Sequence, residues 1–122
     1  MDFFTYHNLI VAFGAIILLV IVLILVFHKK TINVYYDDVN KVKIKSQVNK
    51  KGEKDGKEKI FYRNGKINKI SHWKDGYRHG SFTVYWNTGK PYIKGFYVDG
   101  KLSGDYVVFD HDGKTVIFKD RY

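Results

Sequence analysis

Five histidines, His7, His28, His72, His79 and His111, are the side chains here best suited to proton transfer near neutral pH or to metal ligation. Their spacing serves neither use. None falls in a His-Glu-x-x-His pattern, and His72 and His79 sit in a strand-like stretch and the turn after it. There is no cysteine, so thiolate nucleophiles, thiolate metal sites and disulfides are excluded. Asp110 and Asp112 flank a turn, where aspartate is common because its side chain bonds to nearby backbone. The 11 glycines do not gather into a Gly-x-Gly-x-x-Gly phosphate loop opening a helix. These residues predict no catalytic centre, no metal site and no cofactor, and they point away from an enzyme.

What remains is the chemistry of contact. The chain carries 21 Lys and Arg against 12 Asp and Glu, with 2 Trp, 10 Tyr and 9 Phe. Basic charge interleaved with aromatics is the footprint of single-strand nucleic-acid binders. Here the aromatics fall at repeat positions and the lysines crowd next to an apolar segment, so a protein partner and a membrane are expected instead of nucleic acid. Trp73, Tyr97, Trp86 and Tyr62 form the candidate partner-binding stripe, since Trp and Tyr dominate interface hot spots.

The elements that must carry these side chains follow from two patterns. The first is apolar. Residues 9–27 contain no charged or hydrogen-bonding side chain, and 16 of these 19 are Leu, Ile, Val or Phe. A helix of that length covers about 28 Å, close to the hydrocarbon thickness of a bilayer. No basic n-region precedes the stretch and no Ala-x-Ala site follows it, so an uncleaved single-span anchor is expected, not a signal peptide. The polar leader is residues 1–8.

All basic residues lie beyond this segment. Residues 28–74 hold 14 basic and 5 acidic side chains, a net +9, whereas residues 75–122 hold 7 and 6, a net +1. Lys29, Lys30, Lys41, Lys43 and Lys45 flank the apolar segment on its C-terminal side, which predicts a cytoplasmic C-terminal domain by the positive-inside rule. The same five lysines are the candidate contacts to anionic lipid head groups.

The second pattern is a period of 24 residues. Gly52, Gly76 and Gly100 form one series, Gly56, Gly80 and Gly104 a second, and Gly65, Gly89 and Gly113 a third. A lysine follows the third series each time, at Lys66, Lys90 and Lys114, and an aromatic precedes it by four, at Phe61, Tyr85 and Phe109. A fixed period of this length marks a repeat architecture, which usually offers a binding surface. Asn64-Gly65, Thr88-Gly89 and Asp112-Gly113, and at the opposite end Asp75-Gly76 and Asp99-Gly100, separate runs rich in β-branched and aromatic residues. They read as hairpin turns needing positive φ, with Gly65, Gly76, Gly89, Gly100 and Gly113 as the structural turn residues. Phe82, Val84 and Trp86 are expected on one face of their strand, and Ser81, Thr83 and Tyr85 on the other. The second glycine series opens the first strand of each unit, where an aromatic ring from the adjacent repeat is expected to fill the gap. Residues 28–49 read as a basic linker with two degenerate capping strands around Asp37-Asp38-Val39-Asn40, and residues 50–122 as the repeat domain.

These units resemble the MORN repeat family, in the variant form common in bacteria. The matching residues are Trp73-Lys74-Asp75-Gly76-Tyr77-Arg78-His79-Gly80, then Phe82, Tyr85 and Trp86, then Thr88-Gly89-Lys90. The next unit supplies Phe96-Tyr97-Val98-Asp99-Gly100-Lys101-Leu102-Ser103-Gly104, then Tyr106 and Asp112-Gly113-Lys114. The first unit departs, with Lys51-Gly52 for Asp-Gly and Glu58 for an aromatic. The resemblance implies a single-layer antiparallel meander of β-hairpin repeats behind the transmembrane helix, working by contact with proteins or membranes. The function expected is a membrane-anchored, non-catalytic interaction module, an adaptor or small accessory subunit of a membrane complex. The alternative is an antitoxin or immunity-type protein that neutralises a toxin by direct binding, a label often given to bacterial members of the variant class.

Overall fold

The computed structural model describes residues 2–122, and for Val39 the backbone course alone. The described residues form one helix, α1 (Phe3–Phe27), followed by ten strands: β1 (Lys30–Tyr36), β2 (Val39–Val48), β3 (Lys54–Phe61), β4 (Ile67–Lys74), β5 (Tyr77–Arg78), β6 (Gly80–Tyr85), β7 (Pro91–Val98), β8 (Lys101–Leu102), β9 (Asp105–Phe109) and β10 (Val116–Arg121).

The helix begins six residues before the expected residue 9. Phe3, Phe4 and Tyr6 extend its apolar surface, and His7 and Asn8 are accommodated without breaking it. At 25 residues it is about 37 Å long. Its most apolar window has a mean hydropathy of 3.6, and it is long and apolar enough to cross a membrane. No residue of α1 is buried, so the sheet gives it no cover.

The strands form one antiparallel sheet in the order β1-β2-β3-β4-β6-β7-β9-β10. Short β5 pairs with β4 and short β8 with β7. They lead into β6 and β9 across interruptions at His79 and at Ser103-Gly104, and β3 is the corresponding strand of the first unit. The basic stretch after the helix supplies β1 and β2, joined at Asp37-Asp38 where the alternation of Ile32, Val34, Val42 and Ile44 breaks.

Two kinds of turn alternate along the sheet. At Asp75-Gly76 and Asp99-Gly100 both central residues have positive φ, 46° and 83° in the first and 46° and 84° in the second. These are two-residue hairpins, with Lys74 opposite Tyr77 and Val98 opposite Lys101. Asn64-Gly65 and Thr88-Gly89 differ from this expectation. Only the glycine is at positive φ, and its N–H bonds back to the carbonyl three residues earlier, Gly65 to Tyr62 and Gly89 to Trp86, at 2.9 Å each. Each is a three-residue loop closed by a left-handed glycine, and one residue into the ladder beyond it the register shifts, at Ile60/Phe61 and again one repeat later at Val84/Tyr85, leaving Asn68 and Tyr92 as the extra residues.

Register assigns the faces. Ser46, Glu58, Ser71, Trp73, Phe82, Gly95, Tyr97 and Tyr106 share one face; Lys45, Lys59, Ile70, Thr83, Lys94 and Val107 share the other. Among the described residues, burial is confined to the first face: Val48 and Phe82 are its buried apolar residues, and Ser46, Glu58 and Ser71 its buried polar ones. Phe82 lies across Gly95, where an added Cβ would come within 2.6 Å of the ring. The ring also meets Tyr97 at 4.9 Å and Tyr106 at 6.3 Å between centroids, joining neighbouring repeats.

The second glycine series behaves differently from expectation. The nearest atoms beside Gly56 belong to the Gln47 side chain and those beside Gly80 to His72, not to a Phe, Tyr or Trp ring. Both glycines have positive φ, 112° and 105°, which turns the missing side chain away from the aromatic face.

Substituting Gly76 by Val forces a β-branched residue to φ 83° in an exposed turn, whereas Lys74 is an exposed strand residue. Gly76→Val is expected to lower stability by about 1–3 kcal/mol, and Lys74→Val to change it by less than about 0.5 kcal/mol. Thermal unfolding of the full chain in detergent checks this; equal melting of the two variants refutes the turn geometry.

Candidate functional site

The aromatic stripe expected from the sequence divides into two groups. Trp73 stands next to the last residue of β4, opposite Gly56, and Tyr97 stands one repeat on in β7, opposite Gly80. Between them lies exposed Arg78, which the sequence reading quoted in the repeat motif but did not assign to the surface. Its guanidinium is 5.6 Å from the Trp73 ring and 5.4 Å from the Tyr97 ring, and Nη1 donates to the Tyr97 hydroxyl at 3.3 Å. Lys54 covers the other approach to Trp73, with Nζ 4.6 Å from the ring. Cations over aromatic faces are held by the ring quadrupole, so Arg78 is oriented here without an ion pair, whereas Lys54 is held by the ring and by a carboxylate together.

Tyr62 and Trp86 lie beyond the strand ends, at the three-residue turns, where their polar groups reach across to the next repeat. The Tyr62 hydroxyl donates to the Tyr85 carbonyl at 2.6 Å, and Trp86 Nε1 donates to the Asp110 carbonyl at 3.2 Å. Tyr36 does the same one unit earlier, donating to the Phe61 carbonyl at 2.7 Å. Trp86 is also stacked on His111 at 4.0 Å between centroids and meets the Tyr92 ring, tilted by 34°, at 3.9 Å. These aromatics spend their rings and donors on joining repeats.

Beneath Trp73 the first unit holds a carboxylate where the next unit has Phe82. Glu58 is only 4% exposed. It accepts hydrogen bonds from Ser46 Oγ at 2.8 Å and Trp73 Nε1 at 3.2 Å, and pairs with Lys54. Burial alone would push the Glu58 carboxyl up, but the bonds from Lys54 and Ser46 and the Lys54 charge outweigh it and hold the group below its ordinary 4.5. Lys69, on the same face with its Nζ 5.4 Å from the Phe82 ring, is pushed below 10.5 by burial and by Arg78. The face above Glu58 is thus basic and aromatic together.

The five expected lipid-facing lysines also divide. Lys29 and Lys30 stand at the junction of helix and sheet, Lys29 paired with Asp55 at 2.7 Å. Lys41 donates to the Arg63 carbonyl at 3.3 Å, and Lys43 lies 5.5 Å from the Tyr36 ring centroid. Lys45 shares the second face with Lys59 and lines a hollow with Lys57 and Lys59. Among the described residues, no group of three His, Cys, Asp or Glu converges on a point where a metal ion could sit.

Glu58→Gln keeps the shape and removes the charge. The folded carboxyl is depressed, so its contribution to stability is full above pH 4.5 and is lost as pH falls through the lower folded value. At pH 7 the variant is expected to be less stable by about 1–2 kcal/mol, and this gap closes as the pH drops below 4.5. Urea unfolding of parent and variant across that range measures the difference; a gap independent of pH contradicts an ionised Glu58.

The family comparison falls on these same elements. Residues 54–75, which span β3, β4 and the start of the Asp75-Gly76 turn, match the family described as MORN repeat variant, as do residues 78–99, which run from Arg78 through β6 and β7. No curated protein and no solved structure gives a significant match to the chain. The two segments that build the Arg78, Trp73 and Tyr97 cluster are therefore MORN repeats of the variant type.

Proposed function

We propose that this chain is a membrane-anchored, non-catalytic interaction module, an adaptor or small accessory subunit that holds a protein partner at a membrane surface. The observation that carries the docking reading is exposed Arg78 lying over both Trp73 and Tyr97. Arg, Trp and Tyr are the residues most enriched in interface hot spots, and this cluster is set by two successive repeats. The rings need no reordering to receive a partner, because Arg78 and Lys54 already hold them. The basic character of the face favours a partner with an acidic or carbonyl-rich contact.

The anchor reading rests on α1, whose apolar surface receives no cover from the sheet. Exposed to water, such a helix would be a severe aggregation liability; in a bilayer it is in its own solvent. The net +9 of residues 28–74 supports a cytoplasmic placement of the sheet. It also supports contact with an anionic leaflet, through the junction lysines and the second face carrying Lys45 and Lys59.

Two outcomes are expected. A cysteine replacing exposed Lys101 stays unmodified by a membrane-impermeant maleimide in intact cells and reacts once the cells are permeabilised; labelling in intact cells puts the sheet on the other side. A partner recovered with the full chain in mild detergent survives about 0.5 M salt, where charge attraction is screened within a few ångströms. The same partner is lost from Arg78→Ala and from Tyr97→Ala, each of which weakens binding by about 2 kcal/mol or more. A partner that leaves with salt and ignores both substitutions refutes the aromatic surface.

A further inference from the structure

A groove of about 620 Å³ lies where α1 meets the sheet. Val26, Phe27 and Val48 supply its apolar part, and Lys29, Lys30, Lys50 and Lys51 its charge. Lys29 is matched by Asp55 at 2.7 Å. Among the described residues, no carboxylate lies within ion-pair distance of Lys30, Lys50 or Lys51. The turn bearing Lys50 and Lys51 is fixed by Asn49, whose Oδ1 accepts from the backbone N–H groups of Lys51 and Glu53 at 3.0 Å each and whose Nδ2 donates to Glu53 at 3.0 Å. Three uncompensated ammonium groups are thus collected beside an apolar wall on a fixed backbone.

The depth of the groove says what would enter it. Val26 and Phe27 are the last two residues of α1, and β1 starts at Lys30. The polar layer on each side of a bilayer is about 5–8 Å thick. With α1 in the hydrocarbon, the apolar wall lies at the depth of the upper acyl chains and the lysines at the depth of the lipid phosphates. A soluble anion would use the charges and leave the apolar wall bare; a phospholipid has its charge and chains in the matching order.

We propose that this groove is a binding site for one anionic phospholipid, its phosphate held by Lys30, Lys50 and Lys51 and its acyl chains against Val26 and Phe27. The site rests on the reading of α1 as a membrane anchor and adds to it a saturable, single-lipid contact. It is distinct from the second hollow, lined by Thr31, Lys45, Gln47, Lys57 and Lys59, which has no apolar wall from the helix.

The test uses the full chain reconstituted in discs of phosphatidylcholine with a minor fraction of phosphatidylglycerol. The chain is then extracted in mild detergent and its retained lipid counted by native mass spectrometry. Lys30→Gln/Lys50→Gln/Lys51→Gln is compared with Lys45→Gln/Lys57→Gln/Lys59→Gln, which removes the same charge from the other hollow. The parent and the second variant are expected to retain phosphatidylglycerol at a ratio near one, and the groove variant to lose it by at least about tenfold. The retained lipid is expected to resist inorganic phosphate. Equal loss from both variants means diffuse attraction and overturns the site while leaving the anchor standing. Release by inorganic phosphate makes it a free-anion site, and a parent without retained phosphatidylglycerol leaves no site at all; either result overturns the proposal. A chain that does not enter the discs overturns the anchor and the site together. Because all three lysines are exposed, the groove variant should melt with the parent, and a charge reversal confined to the turn, Lys50→Glu/Lys51→Glu, gives the same reading if it does not.

Discussion

A sheet one layer thick has no opposing layer, so every buried contact in this domain has to be made sideways, between neighbouring strands. Few side chains are buried under that constraint, and among the described residues those few lie on one face. Cohesion comes instead from features that recur with the repeat. Phe82 lies over Gly95 because a glycine there leaves room for a ring, and the same ring bridges to Tyr97 and Tyr106. Along the turns, Tyr36, Tyr62 and Trp86 each pass a hydrogen bond to a backbone carbonyl of the following unit. Each bond is worth only about 1 kcal/mol, but a linear array needs only that every neighbour be joined to the next.

The same constraint explains how a carboxylate stands where the following unit has a phenylalanine. In a two-layer core Glu58 would be deeply desolvated. Here the layer above it consists of side chains with polar groups to offer: the Ser46 hydroxyl, the Trp73 indole N–H and the Lys54 ammonium. The polar unit also changes the surface. It orients Trp73 from below while Lys54 and Arg78 lie against the ring, so the departure from the repeat pattern leaves an aromatic held by charge at the place where two units meet.

Much of the architecture could be read from the residues because turns and faces write regular marks in a sequence. The 24-residue glycine spacing, the Asp-Gly turns and the alternation of Phe82 and Val84 led directly to an antiparallel meander behind an apolar helix. What could not be read was geometry that glycine serves in more than one way. Gly76 and Gly65 both follow a residue typical of turns, yet one completes a two-residue turn and the other a three-residue loop with an extra residue in the ladder. Gly56 and Gly80 suggested sockets for aromatic rings, but positive φ faces them toward Gln47 and His72. At the candidate surface, types were legible and roles were not. Tyr62, Trp73, Trp86 and Tyr97 look alike as aromatics near strand ends; only the turn register separates those that join repeats from those lying under Arg78.

The strand order gives the domain a dimension as well as a face. β1 follows the helix after two residues, and, the short β5 and β8 apart, each later strand lies one place further from it, ending at β10. Neighbouring strands are about 4.8 Å apart, so eight in a row put the far edge about 34 Å from the tethered one. Each 24-residue unit contributes two strands, or about 10 Å. The array is therefore a ruler with a fixed graduation: gain or loss of a whole unit would move the far edge by one step while leaving every turn and every aromatic contact between the remaining units in register.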